Sequence, residues 1–268
     1  MIMLDDIPKM HRIKKIREEN PTTKTFVFDC DYQVQPGQFV NVWIPRLDEK
    51  PMSVAYADGK ELHLTIANVG TFSNQMHDLE IGDQVGLRGP YGIGFTWKKK
   101  QKIAMVGGGF GSAPLSFTAK KAIADGCTID FIIGARRKDL LIYTDKIKKL
   151  KNTQLHIATD DGSVGHKGYN VEVLEQLLKK KKVDLIMTCG PEVMMAAVAR
   201  IATKYKVPAQ ISLERYMKCG FGLCGQCVVD PTGDTTCTKG PVVSLEYVKR
   251  VDEFGKYHRD ALGKKHSF

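Results

Sequence analysis

Ile103-Ala-Met-Val-Gly-Gly-Gly-Phe-Gly-Ser-Ala-Pro114 decides the fold of this chain. The apolar run from Ile103 to Val106 reads as a short strand buried on both faces. Glycines at 107, 108, 109 and 111 then turn the backbone, and Ser112 to Ala124 reads as a helix. Strand, glycine turn and helix N-terminus together form a cradle for a pyrophosphate, because free N–H groups and the helix dipole both favour an anion there. The turn departs from a strict G-x-G-x-x-G, since Ser112 stands where the third glycine would be. A tight βα turn without a ligand is the plainer alternative.

The pattern continues downstream. Strand-like runs at Thr128 to Ile133, Gln154 to Ala158, Val183 to Met187 and Ala209 to Leu213 alternate with helical stretches at Asp145 to Leu150, Val171 to Lys179 and Glu192 to Lys204. Such alternation predicts βαβ units and a parallel sheet. Two further small-residue turns follow strands of this sheet, Ala158-Thr-Asp-Asp-Gly-Ser163 and Thr188-Cys-Gly-Pro191, while Gly134-Ala-Arg-Arg137 follows the second strand. Ligands of open α/β sheets bind at these carboxyl ends, so the turns strengthen a dinucleotide reading. Arg136 and Arg137 lie where an arginine can accept a ribose 2′-phosphate, or they are simply solvated loop residues.

Upstream, residues from His11 to about Phe95 read as β structure. Lys24 to Phe28, Gln38 to Trp43 and Glu61 to Ile66 alternate, with turn chemistry at Gln35-Pro-Gly37, Ala57-Asp-Gly59 and Ile81-Gly-Asp83. The spacing predicts a small barrel, interrupted by one helix near Ser73. Lys50-Pro-Met-Ser53 and Val69-Gly-Thr-Phe-Ser73 are candidates for a second anion site, with Thr71 or Ser73 capping the helix.

A third unit opens at Lys218-Cys-Gly-Phe-Gly-Leu-Cys-Gly-Gln-Cys-Val228. Cys219, Cys224, Cys227 and Cys237 stand as C-x4-C-x2-C-x9-C. The opening spacing is that of plant-type [2Fe–2S] ligation, and a chain that owns such a cluster handles single electrons. Gly220, Gly222 and Gly225 allow the positive φ needed to aim N–H groups at sulfur. Structural zinc is the alternative, but zinc ribbons present two C-x2-C knuckles and only Cys224 and Cys227 are so spaced. No histidine falls in the run, against a Rieske centre. Cys30, Cys127 and Cys189 are scattered as ordinary buried cysteines.

The 268 residues allow about two domains and a small module. The expected boundaries are residues 1–98 for the barrel, 99–213 for the nucleotide domain and 214–268 for the cluster module and a basic tail. No apolar stretch is long enough to span a membrane. Met1 to Asp6 carry no apolar signal core, so a reducing, cytoplasmic setting is expected. The formal charge of +10 invites a nucleic-acid reading. Against it, Lys179 to Lys182 close a helix, where cations suit the dipole, and no aromatic–basic stacking surface is visible.

Placed in order, Pro36-Gly-Gln-Phe39, Lys50-Pro-Met-Ser53, Gly70-Thr71, Gly89-Pro-Tyr-Gly92, Gly107-Gly-Gly-Phe-Gly111, Thr159-Asp-Asp-Gly162 and Cys189-Gly-Pro191 resemble the ferredoxin–NAD(P)+ reductase superfamily over roughly residues 10 to 210. With Glu214-Arg-Tyr-Met-Lys-Cys219, the cysteine run and Gly240-Pro241, the chain more narrowly resembles the electron-transfer subunits of NAD-linked, class B dihydroorotate dehydrogenases in their archaeal-like form. The resemblance implies a β-barrel flavin domain holding FAD, an α/β parallel-sheet domain for NAD(H), and a C-terminal [2Fe–2S] module. It implies that Lys50, Pro51, Met52, Ser53, Gly70, Thr71 and Ser73 contact the flavin nucleotide. Gly107, Gly108, Gly109, Gly111, Asp160 and Gly190 would line the nicotinamide side. Cys219, Cys224, Cys227 and Cys237 would ligate the cluster, and no side chain would act as acid or base. Lys50 departs from the arginine usual in the family, and a lysine cannot make the bidentate phosphate contact. The implied partner is an FMN-containing dihydroorotate dehydrogenase catalytic subunit, in a heterotetramer of two plus two. Electrons would run from dihydroorotate through FMN, cluster and FAD to NAD+. A diaphorase subunit of a sulfhydrogenase or a ferredoxin–NAD(P) oxidoreductase would use the same carriers.

Overall fold

The computed structural model describes residues 7–268; the reading of Met1 to Asp6 lies outside them. The first unit is a closed antiparallel barrel of β1 (Lys9–Asn20), β2 (Thr23–Asp29), β3 (Phe39–Ile44), β4 (Asp48–Ala57), β5 (Glu61–Ala67) and β6 (Gln84–Tyr91). Their order is β1-β2-β5-β4-β3-β6. Period-two alternation fills it: on β5, Leu62, Leu64 and Ile66 are buried, whereas Glu61, His63 and Thr65 are only half-buried. The antiparallel register sets Phe26 opposite Leu64 and Phe28 opposite Leu62. Helix α1 (Thr71–Asp78) buries Phe72 and Met76 in the same core.

The second unit is a seven-stranded sheet. Its elements are β7 (Lys102–Gly108), α2 (Ser112–Ala124), β8 (Thr128–Ala135), α3 (Thr144–Lys148), β9 (Thr153–Thr159), β10 (His166–Lys167), α4 (Asn170–Lys180), β11 (Leu185–Cys189), α5 (Glu192–Tyr205), β12 (Ala209–Ser212) and β13 (Val242–Ser244). The strand order is β10-β9-β8-β7-β11-β12-β13. The run Ile103 to Val106 is buried on both faces, as its lack of polar alternation requires: Ile103 and Met105 face the α2 side, Ala104 and Val106 the α4–α5 side. The chain reverses direction across the sheet between β7 and β11, and crevices for ligands open at such switch points.

The two units are joined by side chains from both. Phe117 of α2 enters the barrel core, with Tyr56 of β4 edge-on at 5.7 Å. The Tyr143 hydroxyl bonds the Thr65 and Thr25 hydroxyls at 2.7 and 3.3 Å.

The region from residue 214 is less separate than its sequence suggests. After the cysteine loop and α6 (Thr236–Lys239), β13 returns to pair antiparallel with β12 and so edges the nucleotide sheet. The basic tail is ordered as α7 (Leu245–Val248) and a hairpin of β14 (Tyr257–Arg259) and β15 (Lys265–Ser267). Arg215 ties this region down. Its guanidinium, 3% exposed, bonds Glu192 at the start of α5 and Glu253 of the tail, each at 2.5 Å.

Candidate cofactor and electron-transfer site

The glycine turns after β7 and β11 interlock. A Cβ on Gly111 would lie 2.5 Å from the Cys189 carbonyl carbon and 2.7 Å from the Gly190 nitrogen. A Cβ on Gly190, whose φ is +149°, would press on the Gly108 backbone at 2.9 Å. Gly107 is crowded by Ser112, and its carbonyl accepts from Asn170 Nδ2 at 3.1 Å. Gly109 differs: its φ is +52° and a Cβ there would meet nothing within 4 Å. It is the position of this turn that faces open space. The Ser112 hydroxyl is fully buried and has no partner of its own. Asp160 is exposed on the turn after β9, where its N–H reaches Ala135 at 3.2 Å. A recess of about 480 Å3 opens beside it, lined by Arg137, Lys138, Asp139, Asp161 and Ser163. Arg137 is paired there with Asp139 at 2.9 Å.

On the barrel, Lys50, Pro51, Met52 and Ser53 follow one another along β4, with the Ser53 side chain exposed. Lys50 turns to the segment after β12: its Nζ pairs with Asp48 at 2.6 Å and donates to the Tyr216 hydroxyl at 3.0 Å. Burial opposes the Lys50 ammonium, but Asp48 and Tyr216 outweigh it and hold its pKa above the usual lysine range. At α1 the cap is Gly70, whereas Thr71 or Ser73 was expected. The Ser73 hydroxyl accepts the Val69 and Gly70 N–H groups at 2.8 and 2.9 Å and donates back to the Gly70 carbonyl. Ser73 therefore shapes the turn, and its hydroxyl is fully engaged in doing so. The helical ladder begins with Asn74 N–H on Gly70. The first-turn N–H groups at exposed Thr71 and its neighbour are left without helical partners, as an anion site requires.

Just after β12 comes Glu214. Burial, with Glu192 nearby, raises its carboxyl pKa, yet the side chain is open to solvent. Cys189 faces the same region, and burial pushes its thiol up to about 12.

Cys30 and Cys127 are buried elsewhere, and the other four cysteines gather as two pairs, Cys219 with Cys224 and Cys227 with Cys237. Backbone N–H groups point at the sulfurs. Leu223 and Cys224 donate to Cys219 Sγ at 3.3 and 3.4 Å, Gly222 to Cys237 Sγ at 3.2 Å, and Cys237 to Cys227 Sγ at 3.4 Å. Gly220, Gly222 and Gly225 have φ of +86°, +85° and +70°, the geometry that lets the loop turn its amides inward. The Cys237 thiol hydrogen bond, against burial, brings Cys227 down to about 7. Burial opposes the Cys219 thiolate, but the amides of Cys224, Phe221 and Leu223 outweigh it and lower its pKa. Among the described residues no three potential ligands close on a single ion. Two pairs of thiols suit the two irons of a binuclear cluster, with two protein ligands on each.

The comparisons with known proteins match this geometry. Residues 214–249 match the iron–sulfur cluster binding domain of dihydroorotate dehydrogenase B, and residues 105–200 match an oxidoreductase NAD-binding domain. A protein of Methanocaldococcus jannaschii named "Probable dihydroorotate dehydrogenase B (NAD(+)), electron transfer subunit" is 46% identical, over 96% of this chain and 98% of its own. A Methanothermobacter thermautotrophicus protein of the same name is 45% identical over 97% of both. The chain belongs to this family of electron transfer subunits. Among solved structures, one from the NADH-dependent reduced ferredoxin-NADP oxidoreductase superposes with a TM-score of 0.83 at 28% identity, covering 91% of this chain and 90% of that one. The cytochrome b5 reductase domain of Ulva prolifera nitrate reductase shares the fold alone, with a TM-score of 0.64 at 18% identity, over 74% of this chain and 93% of that one.

Family motifs do not point to the residues that fasten the cysteine loop. Arg88 on β6 and Glu49 and Asn41 on the neighbouring strands lie outside them, and the buried Arg215, although inside the Glu214-to-Cys219 stretch, was given no role by it. Arg88 and Asn41 both bond the Lys218 carbonyl at 2.8 Å. A cue was present in sequence: Arg88 sits directly before the Gly89-Pro90-Tyr91-Gly92 turn, in a strand whose other central residues are apolar.

Proposed function

We propose that this chain carries electrons between NAD+ and an FMN-containing catalytic subunit that oxidises dihydroorotate to orotate in pyrimidine synthesis. The observation that carries the reading is the loop of paired thiols with amides aimed at sulfur, seated on the wall of a reductase-type barrel. Cys219, Cys224, Cys227 and Cys237 hold the cluster. Lys50, Pro51, Met52, Ser53, Gly70 and Thr71 line the flavin, with Ser73 shaping the phosphate turn. Gly107, Gly108, Gly109, Gly111, Asp160 and Gly190 form the nicotinamide side. When bound, FAD interconverts the two-electron hydride of NAD(H) and the single electrons of the [2Fe–2S] cluster. The chain's own residues supply position: the interlocked turns fix where the pyrophosphate lies, and the loop fixes where the cluster lies relative to β4.

The catalytic partner docks on the cluster loop, where Leu223 is 75% exposed and Phe221 and Cys224 are also open. A two-plus-two heterotetramer in the cytoplasm completes the proposal. No helix among the described residues is long and apolar enough to cross a membrane. The likeness to the ferredoxin-NADP oxidoreductase chain keeps a second assembly in view, since both use the same carriers. Co-expression with the FMN subunit, pull-down and an orotate-coupled NAD+ assay test the choice. The expected result is a complex that reduces NAD+ with dihydroorotate, the isolated chain showing only diaphorase activity. A chain that binds no such subunit, or that co-purifies with hydrogenase components, refutes it.

A further inference from the structure

Arg88 saturates all five of its guanidinium N–H donors, and it does so across three segments. Nε and Nη2 form a two-point pair with Glu49 of β4 at 2.5 and 2.7 Å. Nη2 also donates to the Lys218 carbonyl at 2.8 Å. Nη1 donates to the Tyr91 hydroxyl at 3.1 Å and to the carbonyl of Cys219, the first cysteine of the loop. The guanidinium carbon lies 5.5 Å from the Tyr91 ring centre and 5.8 Å from that of Phe221, a residue of the loop itself. The side chain is 6% exposed. A buried ion pair of this kind is a poor stabiliser compared with apolar packing, because desolvation offsets its Coulomb gain. Its value lies in what it points at. Glu49 directly precedes Lys50 on the strand read as the flavin edge, and the cation ends on the backbone of a cluster ligand.

We propose that the Arg88–Glu49 pair sets the reduction potential of the cluster and holds the Cys219 end of the loop at a fixed place beside β4. This rests on the reading of the cysteines as [2Fe–2S] ligands. Cluster potentials respond to local charge, hydrogen bonding and exposure, and partners beyond the ligands are a recognised lever. Reduction adds one negative charge to the cluster. A desolvated cation bonded to the Cys219 peptide stabilises that charge, and Glu49, on the far side of the guanidinium, tempers it. Arg88 is thus a positioning residue that acts through Cys219.

The two partners must then move the potential in opposite directions. Iron, acid-labile sulfide and FAD per chain are measured first, in the full chain and in Arg88→Gln, Arg88→Lys and Glu49→Gln. An EPR-monitored redox titration follows. Arg88→Gln should make the cluster harder to reduce by about tenfold in the reduced-to-oxidised ratio, or ~59 mV for one electron. Glu49→Gln should make it easier to reduce. Arg88→Lys, which keeps the charge but loses the two-point pairing, should lie closer to the parent in potential. Shifts of the same sign in Arg88→Gln and Glu49→Gln, or none, overturn the proposal. If Arg88→Gln fails to hold iron, Glu49→Gln and Arg88→Lys still decide it. A parent chain without two irons and sulfide refutes the ligand reading itself, an outcome distinct from a cluster whose potential ignores the pair.

Discussion

Replacing Gly111 by alanine tests whether the interlocked turns form the nicotinamide site. The new Cβ would stand 2.5 Å from the Cys189 carbonyl carbon and 2.7 Å from the Gly190 nitrogen. Carbon contacts settle near 3.5–4.0 Å, so the two turns must part by about 1 Å. They cannot part freely, because β7 and β11 are laddered right up to Gly107 opposite Cys189. Overpacking of this kind costs about 1–3 kcal/mol. At roughly 2–4 °C per kcal/mol for a chain near this size, the melting temperature should fall by about 2–12 °C. The functional cost should be larger in proportion. A displacement of about 1 Å at a positioning element can cost about 100-fold in rate, because alignment is lost. Stopped-flow reduction of bound FAD by NADH would read this, with flavin content as the control. Flavin should stay bound, since the residues proposed to hold it lie in the barrel. A Gly111→Ala variant that melts and reduces its flavin like the parent would refute the packing account of this site.

Gly109→Glu should cost about 1–2 kcal/mol of stability, because its φ of +52° strains any L side chain even though a Cβ there meets open space, while its charge repels the pyrophosphate; unchanged flavin bleaching by NADH and NADPH would show the turn to be merely structural. Cys224→Ser should lose iron and visible cluster absorption but keep FAD; two irons retained would count against the ligand assignment, and zinc in the parent protein would end it. Arg215→Met leaves Glu192 and Glu253 buried without their cation, and should cost about 3–5 kcal/mol in denaturant unfolding, a loss under 1 kcal/mol being the contrary result. Asp130 bonds His156 at 2.9 Å and Lys181 at 3.2 Å; burial opposes its carboxylate, but these partners outweigh it and lower its pKa. Its contribution is therefore present above the unfolded carboxyl value of about 3.9 and fades as pH falls through the lower folded value. The stability gap between the parent and Asp130→Asn should be full at pH 6 and close towards pH 3, and a gap independent of pH would be the adverse result.

The parts of this molecule that were legible in sequence are those whose signal is local. Alternation at Glu61 to Ile66 fixes which side of β5 faces the barrel, and the unbroken apolar run at Ile103 to Val106, followed at once by glycines, reads as a buried strand and is one. Cysteine spacing works the same way: the structure gathers Cys219, Cys224, Cys227 and Cys237, as the proposed ligands to one cluster must be. Burial of charge is not local. Arg88 finds Glu49 39 residues earlier and Cys219 131 residues later, and Arg215 finds Glu253 38 residues on. In a strand or a loop such residues read as solvent-facing, since lone charges are rarely buried. Only the partner's arrival from another segment reverses that expectation.

The cysteine loop shows why this distinction bears on function. Its own apolar core is a small cluster of Met217, Cys227, Cys237 and the barrel's Phe39, with Tyr91 packed alongside. A segment of this size cannot bury enough surface to order itself. Its shape is imposed from outside, by Arg88 and Asn41 on the barrel, by β13 on the sheet and by Glu192 through Arg215. The cysteines specify which cluster is taken up, but the barrel and the sheet decide where it sits. A chain that kept the four cysteines and lost these distant partners would still carry the motif, and would no longer hold the loop at a defined place beside β4.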